Sequence, residues 1–344
     1  MNANNRFYVL DLMRFIAAFA VVFYHYSIYV DKVKFPLFNS ISSFGYLGVN
    51  FFFILSGFVI MASAQNRSAF EFAFARALRI YPAFIACLIF TVGVSYWLES
   101  AQFPIKDILF NATILNDYLG IHNIDGVYWT LQAELKFYGC VFALLLLGLF
   151  SHWRIWLSIW LALAVIYHFF KQPFFLGWFI NPPYSFYFIG GVSAFMLYKN
   201  PNDKLTNILF FIAVIFSFVV AQNQAGNFMT HPDDSQKLIS ASIVFAFYVF
   251  FFFLVRGFFT LQKSNYIVLL GAISYPLYLI HNRAGKAIIN YFANDVNIYL
   301  LLDSVLAFLI LVTLFVHLVI EKNFDKLRKL LRISKKAINS QPVN

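Results

Sequence analysis

The sequence predicts an all-α protein, a polytopic transmembrane helix bundle of about ten spans with both termini cytoplasmic. Three observations predict it. Of 344 residues, 61% are apolar and 12% charged, about half the charge of an ordinary soluble surface. Apolar stretches of roughly membrane-crossing length recur from end to end, at about 7–30, 44–64, 80–98, 126–149, 155–170, 183–198, 205–221, 238–255, 265–282 and 298–320. With the first residues placed inside, 16 Lys and Arg fall in inner segments and 7 in outer ones, the asymmetry that orients membrane proteins. That bias accounts for the net charge of +10, so nucleic acid is not an expected partner. The 46 phenylalanines suit lipid-facing helix surfaces. Cys87 and Cys140 both lie in apolar spans and read as small core residues, with no metal expected.

The first span, FYVLDLMRFIAAFAVVFYHYSIYV, carries Asp11, Arg14 and His25, which a plain anchor would exclude. Ionisable groups inside a membrane are costly and face a bundle interior or a wet cavity. At 100° per residue the three fall within roughly 60° of one another, and Ala18, Val22 and Tyr29 continue the stripe. One polar seam therefore runs down an apolar helix. The preceding residues, MNANNR, are polar, and no cleavable signal peptide is expected.

In the second span Gly45, Gly48, Phe52 and Ser56 share one face, with Gly57 beside it. Small residues let helices approach closely, so this is a packing face or the backbone lining of a narrow substrate passage. Arg76 and Arg79 precede the third span at i and i+3 and project together on a helix. Paired guanidinia suit a phosphate-rich ligand, and positive-inside anchoring explains them equally well. The connection 99–125, the longest loop, has room for small helices.

The fourth span opens on Tyr128 and Trp129, which read as an interface belt, followed by Glu134 and Lys136. These two charges point about 100° to either side of Leu135, too far apart to pair well. Glu134 then needs an inward partner, for which His25 and Arg14 are candidates, or takes part in a purely structural ion pair. Spans five, six and nine are short or interrupted by Pro173, Pro182, Pro183 and Pro276. The ninth carries Ser274, Tyr278 and His281 on one face, a stripe that fits a lined cavity, while an interfacial structural role fits His281 as well. His317 reads as a satisfied core histidine; His122, His152, His168 and His231 carry no signal. Residues 321–344 form a second region, a basic amphipathic tail with Leu327, Leu330, Leu331 and Ile338 at helical intervals, expected on the inner leaflet.

In their order, these segments resemble the acyltransferase-3 family of polytopic membrane acyltransferases, which O-acetylate bacterial surface glycans. Arg14 and His25 match its Arg-x10-His pairing, and Gly45 to Phe58 its GVxxFFxxSGF segment. Arg76, Arg79 and Pro82 match RxxRxxP; Trp129 to Tyr138 resembles WSLxxExxFY, Ser274 to His281 resembles SYxxYxxH, and Ile320-Glu321-Lys322 the closing IEKP. Asn50, where many members are acidic, and Asn323, in place of proline, depart from the pattern. Larger members add an extracytoplasmic esterase-like domain, so the resemblance implies completion of the reaction here or transfer to a separate protein.

The resemblance implies transfer of an acyl group, foremost acetyl from cytoplasmic acetyl-CoA, to a sugar hydroxyl of a surface polysaccharide or lipid-linked glycan, in the bacterial inner membrane. It casts His25 as general base or acyl carrier, Arg14 on the donor, Asp11 orienting Arg14 and Glu134 orienting His25. Arg76 and Arg79 would hold the CoA phosphates, and Ser56, Trp129, Tyr278 and His281 would line the substrate site. The competing class is a transporter of a glycan or small anion using the Asp11/Arg14/His25 seam; the sequence has no internal repeat of the transporter kind. A non-catalytic scaffold leaves the buried charges unexplained.

Overall fold

The computed structural model describes residues 7–30, 40–172, 175–324 and 326, and they contain helices and no strand. Each of the ten expected stretches is helical. In chain order the helices are α1 (Tyr8–Val30), α2 (Gly48–Ala64), entered through a 3-10 turn at Gly45–Leu47, α3 (Ala69–Glu99), α4 (Ile105–Ala112) and α5 (Tyr128–Leu146). Then come α6 (Trp153–Phe170), α7 (Ser185–Lys199), α8 (Lys204–Phe228), α9 (Asp234–Val255), α10 (Asn265–Ile280), α11 (Arg283–Phe292) and α12 (Ile298–Phe315), which runs on into a π turn, Val316–Glu321. Seven segments are long and apolar enough to cross a bilayer: 8–27, 40–64, 69–99, 153–170, 204–228, 234–255 and 298–324. This is an integral membrane protein built as an all-α polytopic bundle.

The three expected spans outside those seven have physical reasons to differ. Helix α5 carries Gln132, Glu134 and Lys136 within its 19 residues. Helices α7 and α10 have 15 and 16 residues, short of the roughly 20 that cross a hydrocarbon core. Every residue of α7 from Ser185 to Leu197 is buried, so protein and not lipid surrounds it. Helix α3 begins at Ala69, earlier than the span expected from 80, and runs through Pro82, so Arg76 and Arg79 sit on a helix and not in a loop. The basic tail beyond residue 326 lies outside the described residues.

The chain divides into two compact units, one comprising the residues up to Ala69 with Tyr128–Ser274, the other Phe70–Val127 with the residues from Tyr275 onward. In the first, α2 and α7 cross at backbone contact. A Cβ on Gly57 would strike the Phe188 carbonyl, and one on Gly191 the Ile54 carbonyl. Gly48 faces Ala17 of α1 in the same manner, which assigns the glycine face of α2 to packing. Lipid tails give helices no hydrophobic reason to associate, so close packing and dispersion must hold them together. Aromatic contacts supply much of it: Phe53 lies 4.9 Å from Phe188 and Phe58 lies 5.5 Å from Phe195, ring centre to ring centre. Phe51, Phe53, Phe58, Phe186, Phe188, Phe210 and Phe251 are fully buried, so the phenylalanines build the core as well as the lipid face.

In the second unit a buried carboxylate ties the loop after α4 to the start of α11. Asp125, wholly inaccessible, accepts from its own loop at Val127 N (3.1 Å), from Asn282 Nδ2 (2.7 Å) and from Arg283 N (2.8 Å). The Arg283 side chain then reaches Ser95 Oγ at 2.9 Å and Glu99 Oε2 at 3.2 Å. Burial pushes the Asp125 carboxyl up, against the opposing pull of those hydrogen bonds and of Lys286. Burial likewise pushes the Lys286 ammonium down, with Asp125 opposing.

Candidate active site

Of the seam expected on α1, the Asp11 end is held from outside the helix. Asp11 is buried and lies 3.7 Å from the Arg14 guanidinium, one turn on. Helix α10 closes over it at Gly271, where a Cβ would fall 2.6 Å from Asp11 Cβ. At the other end of α1, the His25 ring lies 5.0 Å from Tyr24, whose hydroxyl donates to the Phe228 carbonyl at 2.6 Å and fastens α1 to the end of α8. Eleven residues at 1.5 Å each put Arg14 and His25 about 16 Å apart along the axis, so they cannot act on the same atom.

A second group gathers where α2, α5 and α7 meet. Tyr138 donates to Glu134 Oε2 at 2.8 Å, one turn away on α5, and its oxygen lies 3.4 Å from Ser56 Oγ. The tyrosine thus joins two of the expected site residues. Trp129 packs against Tyr184 at 5.0 Å and Phe53 at 6.0 Å, and Tyr128 is fully buried. Trp129, expected in an interface belt, is half-buried against aromatic side chains of α2 and of the turn before α7, and Tyr128 is in the interior. Tyr184 continues to Tyr187 at 6.2 Å. Tyr187 bonds the side chain of Asn50 and donates to Gln224 Oε1 at 3.5 Å, and Gln224 Nε2 donates to the Pro183 carbonyl at 3.2 Å.

The remaining candidates belong to the second unit. Arg79 pairs with the buried Glu321 at 3.0 Å, whose other oxygen meets His317 Nδ1 at 2.7 Å. His317 is satisfied, as expected, and the π turn at the end of α12 sets the carboxylate between the Arg79 guanidinium and the His317 imidazole. Arg79 keeps a third of its side-chain surface exposed, which leaves the fork room for another anion. Arg76 lies one turn earlier on α3, half-buried. Tyr278 is buried, and His281 is wholly inaccessible with Nδ1 2.8 Å from the Tyr278 carbonyl, which places it in the interior and not at an interface. Cys87 and Cys140 are free thiols that donate to the carbonyls of Pro276 and Phe179.

Among the described residues of the first unit, cavities open near opposite ends of α6, α7 and α8. The larger, about 410 Å³, is lined by Gln65, Trp153, Arg154, Lys199 and Asp203. There Arg154 pairs with Asp203 at 2.8 Å, and hydrogen bonds from Thr206 together with Arg154 hold that carboxyl below its usual range. The smaller, about 240 Å³, is lined by Tyr167, His168, Lys171, Phe186, Asn223, Gln224 and Asn227 among others.

A family model described as an acyltransferase domain matches residues 7–320. The chain belongs to the acyltransferase-3 family. It is 31% identical over 154 residues to an O-acetyl transferase of Shigella phage Sf6, covering 40% of this chain and 45% of that protein. It is 30% identical over 171 residues to nodulation protein 10 of Rhizobium leguminosarum bv. viciae, covering 42% and 45%. The matches thus span under half the length of these curated relatives. No solved structure matches.

Within the acyltransferase domain, segments far apart in sequence meet in pairs. Ser56 of the glycine-rich segment meets Tyr138 and Glu134 of the Trp129–Tyr138 segment. Arg79 of the arginine pair meets Glu321 of the closing Ile320-Glu321-Lys322. Asp11 of the first span meets Gly271, three residues before Ser274. Sequence reasoning passed over Tyr138, although its i, i+4 spacing from Glu134 was a readable signal. It dismissed His168, which lines the smaller cavity and has no local pattern to mark it.

Proposed function

We propose that this protein is a membrane O-acyltransferase of the bacterial inner membrane, moving an acetyl group from cytoplasmic acetyl-CoA to a hydroxyl of a surface polysaccharide or lipid-linked glycan. The observation that carries the reading is the α1 seam, with Asp11 held by Gly271 and paired to Arg14, in a chain of the acyltransferase-3 family. The phage relative's name, O-acetyl transferase, supports the choice of acyl group and atom.

In this reading Arg14, oriented by Asp11, holds the phosphate-bearing donor from the inner side. His25 takes the proton of the acceptor hydroxyl, the oxygen attacks the thioester carbonyl, and the tetrahedral intermediate expels the CoA thiolate, which recovers a proton. The separation of about 16 Å between Arg14 and His25 suits a long donor gripped at one end and reacting at the other. Glu134, Tyr138 and Ser56 orient the groups around the reacting atoms, and Trp129 shapes the substrate path.

The test is acetyl transfer by purified protein in lipid, with radiolabelled acetyl-CoA and membrane glycans. His25→Ala removes a general base worth about 10²–10⁴-fold, and transfer should fall by at least that much at normal protein level. Near-normal transfer by His25→Ala defeats the assignment. Label retained on the wild-type protein before acceptor is added would instead mark His25 as an acyl carrier.

A further inference from the structure

The smaller cavity has a chemistry that the seam does not use. We infer that it is a saccharide subsite, selecting through Lys171 a sugar unit that carries a negative charge. The inference rests on the acyltransferase reading, because it supplies that reaction with its acceptor.

Size comes first. About 240 Å³ lies below the roughly 300–1,000 Å³ of sites for drug-sized ligands, leaving room for one sugar ring and not for a nucleotide cofactor. The lining matches a molecule that is polar at its edge and apolar on its faces. Tyr167 and Phe186 offer aromatic walls, while Asn223, Gln224 and Asn227 project amides from one end of α8. An amide donates and accepts side by side, the pattern that a row of hydroxyls requires.

The amides are available. Gln224 is more than nine-tenths buried; its oxygen accepts from Tyr187 and one N–H goes to Pro183, so its second N–H has no partner among the described residues. Asn223 and Asn227 are exposed and make no side-chain hydrogen bond among the described residues. An amide fixed in place beside two open ones is a preformed recognition edge, whereas a solvated helix end would leave all three mobile.

Charge and position select the ligand. Lys171, the one formal cation of the lining, caps α6 at φ +56°, a backbone region that non-glycine residues seldom occupy. Its ammonium lies 5.8 Å from the Tyr167 ring and meets no carboxylate among the described residues, so an anionic group would complete it. The opposite ends of α6, α7 and α8 carry Arg154, Lys199 and Lys204, the basic side that faces inward under the positive-inside rule. The cavity therefore opens on the outer side, where a surface glycan arrives. Tyr24 bonds Phe228, one residue beyond Asn227, so the His25 end of α1 is fastened to this same end of α8. The Asn50–Tyr187–Gln224 chain and the neighbouring Tyr184 and Trp129 join the cavity to the aromatic row of the site.

The experiment is saturation-transfer NMR on the full-length protein in lipid nanodiscs, with glucuronate and glucose as probes. Both should receive saturation, glucuronate more strongly. Lys171→Gln should weaken glucuronate binding about tenfold and leave glucose unchanged. The double variant Asn223→Ala/Asn227→Ala, altering only exposed side chains, should weaken both and raise the acceptor KM while kcat holds. Absence of saturation in the wild type, or equal binding by all variants, overturns the subsite. Acetyl transfer at unchanged acceptor KM in the double variant overturns it too and leaves the acyltransferase reading intact. Wild-type protein that binds both sugars but consumes no acetyl-CoA defeats the acyltransferase reading and supports the subsite alone.

Discussion

Replacing Gly271 by alanine tests whether the α1 seam works as a positioned unit. The new Cβ would sit 2.6 Å from Asp11 Cβ and 2.9 Å from Asp11 Cα, where ordinary contact is 3.4–4 Å. Helices α1 and α10 must then part locally by about 1 Å, and overpacking of that kind costs about 1–3 kcal/mol. Alanine returns about 0.5–1 kcal/mol through helix propensity, so the clash wins. The functional loss should exceed the stability loss. Asp11 and Arg14 pair within α1 and move with it, so the parting shifts the pair as a unit away from where α10 holds it. Misplacement of a positioning group by about 1 Å can cost 10²-fold in rate. The measurement is acetyl transfer in membranes normalised to protein level, with a thermal melt of the purified variant. Gly139→Ala on α5 is the control, because a Cβ there meets nothing within 4 Å and should leave both readings unchanged. A Gly271→Ala protein with wild-type kcat/KM at wild-type abundance would refute the argument that Asp11 must stay where α10 holds it.

Three further outcomes are expected. Tyr138→Phe removes a hydrogen bond to a carboxylate worth about 1.5–3 kcal/mol, so kcat should drop at least tenfold in the same transfer assay while the acetyl-CoA KM holds. Asp125→Ala leaves Asn282 Nδ2 and two backbone N–H groups without their acceptor, each at a cost of about 1–3 kcal/mol, and membrane abundance by immunoblot should collapse, with Asp125→Asn recovering part of it. Cysteine at Ser235 should react with an impermeant maleimide in intact cells, and cysteine at Asn200 only after permeabilisation; the reverse pattern would invert the orientation on which the donor and acceptor sides rest.

The parts legible in sequence were those where a residue breaks the rule of its surroundings. Asp11, Arg14 and His25 stand out in an apolar helix because membranes exclude such groups, and the glycines of α2 because only close packing explains them. Residues that obey local rules and act through distant partners stayed hidden. Residues 222–227 fall beyond the expected span 205–221, yet α8 continues to Phe228, since Ala221 and Ala225 favour helix and Gln224 finds its partners 37 and 41 residues away. Tyr128 and Trp129 looked like an interface belt because aromatic residues before a span usually are; only the fold packs Phe53 and Tyr184 against Trp129 and buries Tyr128. Arg283 counted as an outer-loop charge, and nothing local in its sequence marks Ser95 and Glu99 as its partners.

The division of the chain has a consequence for biogenesis. Neither compact unit is continuous: the second is begun between Phe70 and Val127, interrupted by Tyr128–Ser274, and resumed at Tyr275. At 5–20 residues per second, a ribosome needs roughly 7–30 s to cover that interruption. Throughout this interval Asp125 has been synthesised and Asn282 and Arg283, separated from it by 157 and 158 positions, have not. Half of one unit must wait in the translocon or the bilayer while the other is completed. A nascent chain stalled before Asn282 would hold Asp125 without two of its three donors, and quality-control proteases could read that vacancy as the mark of an unfinished protein.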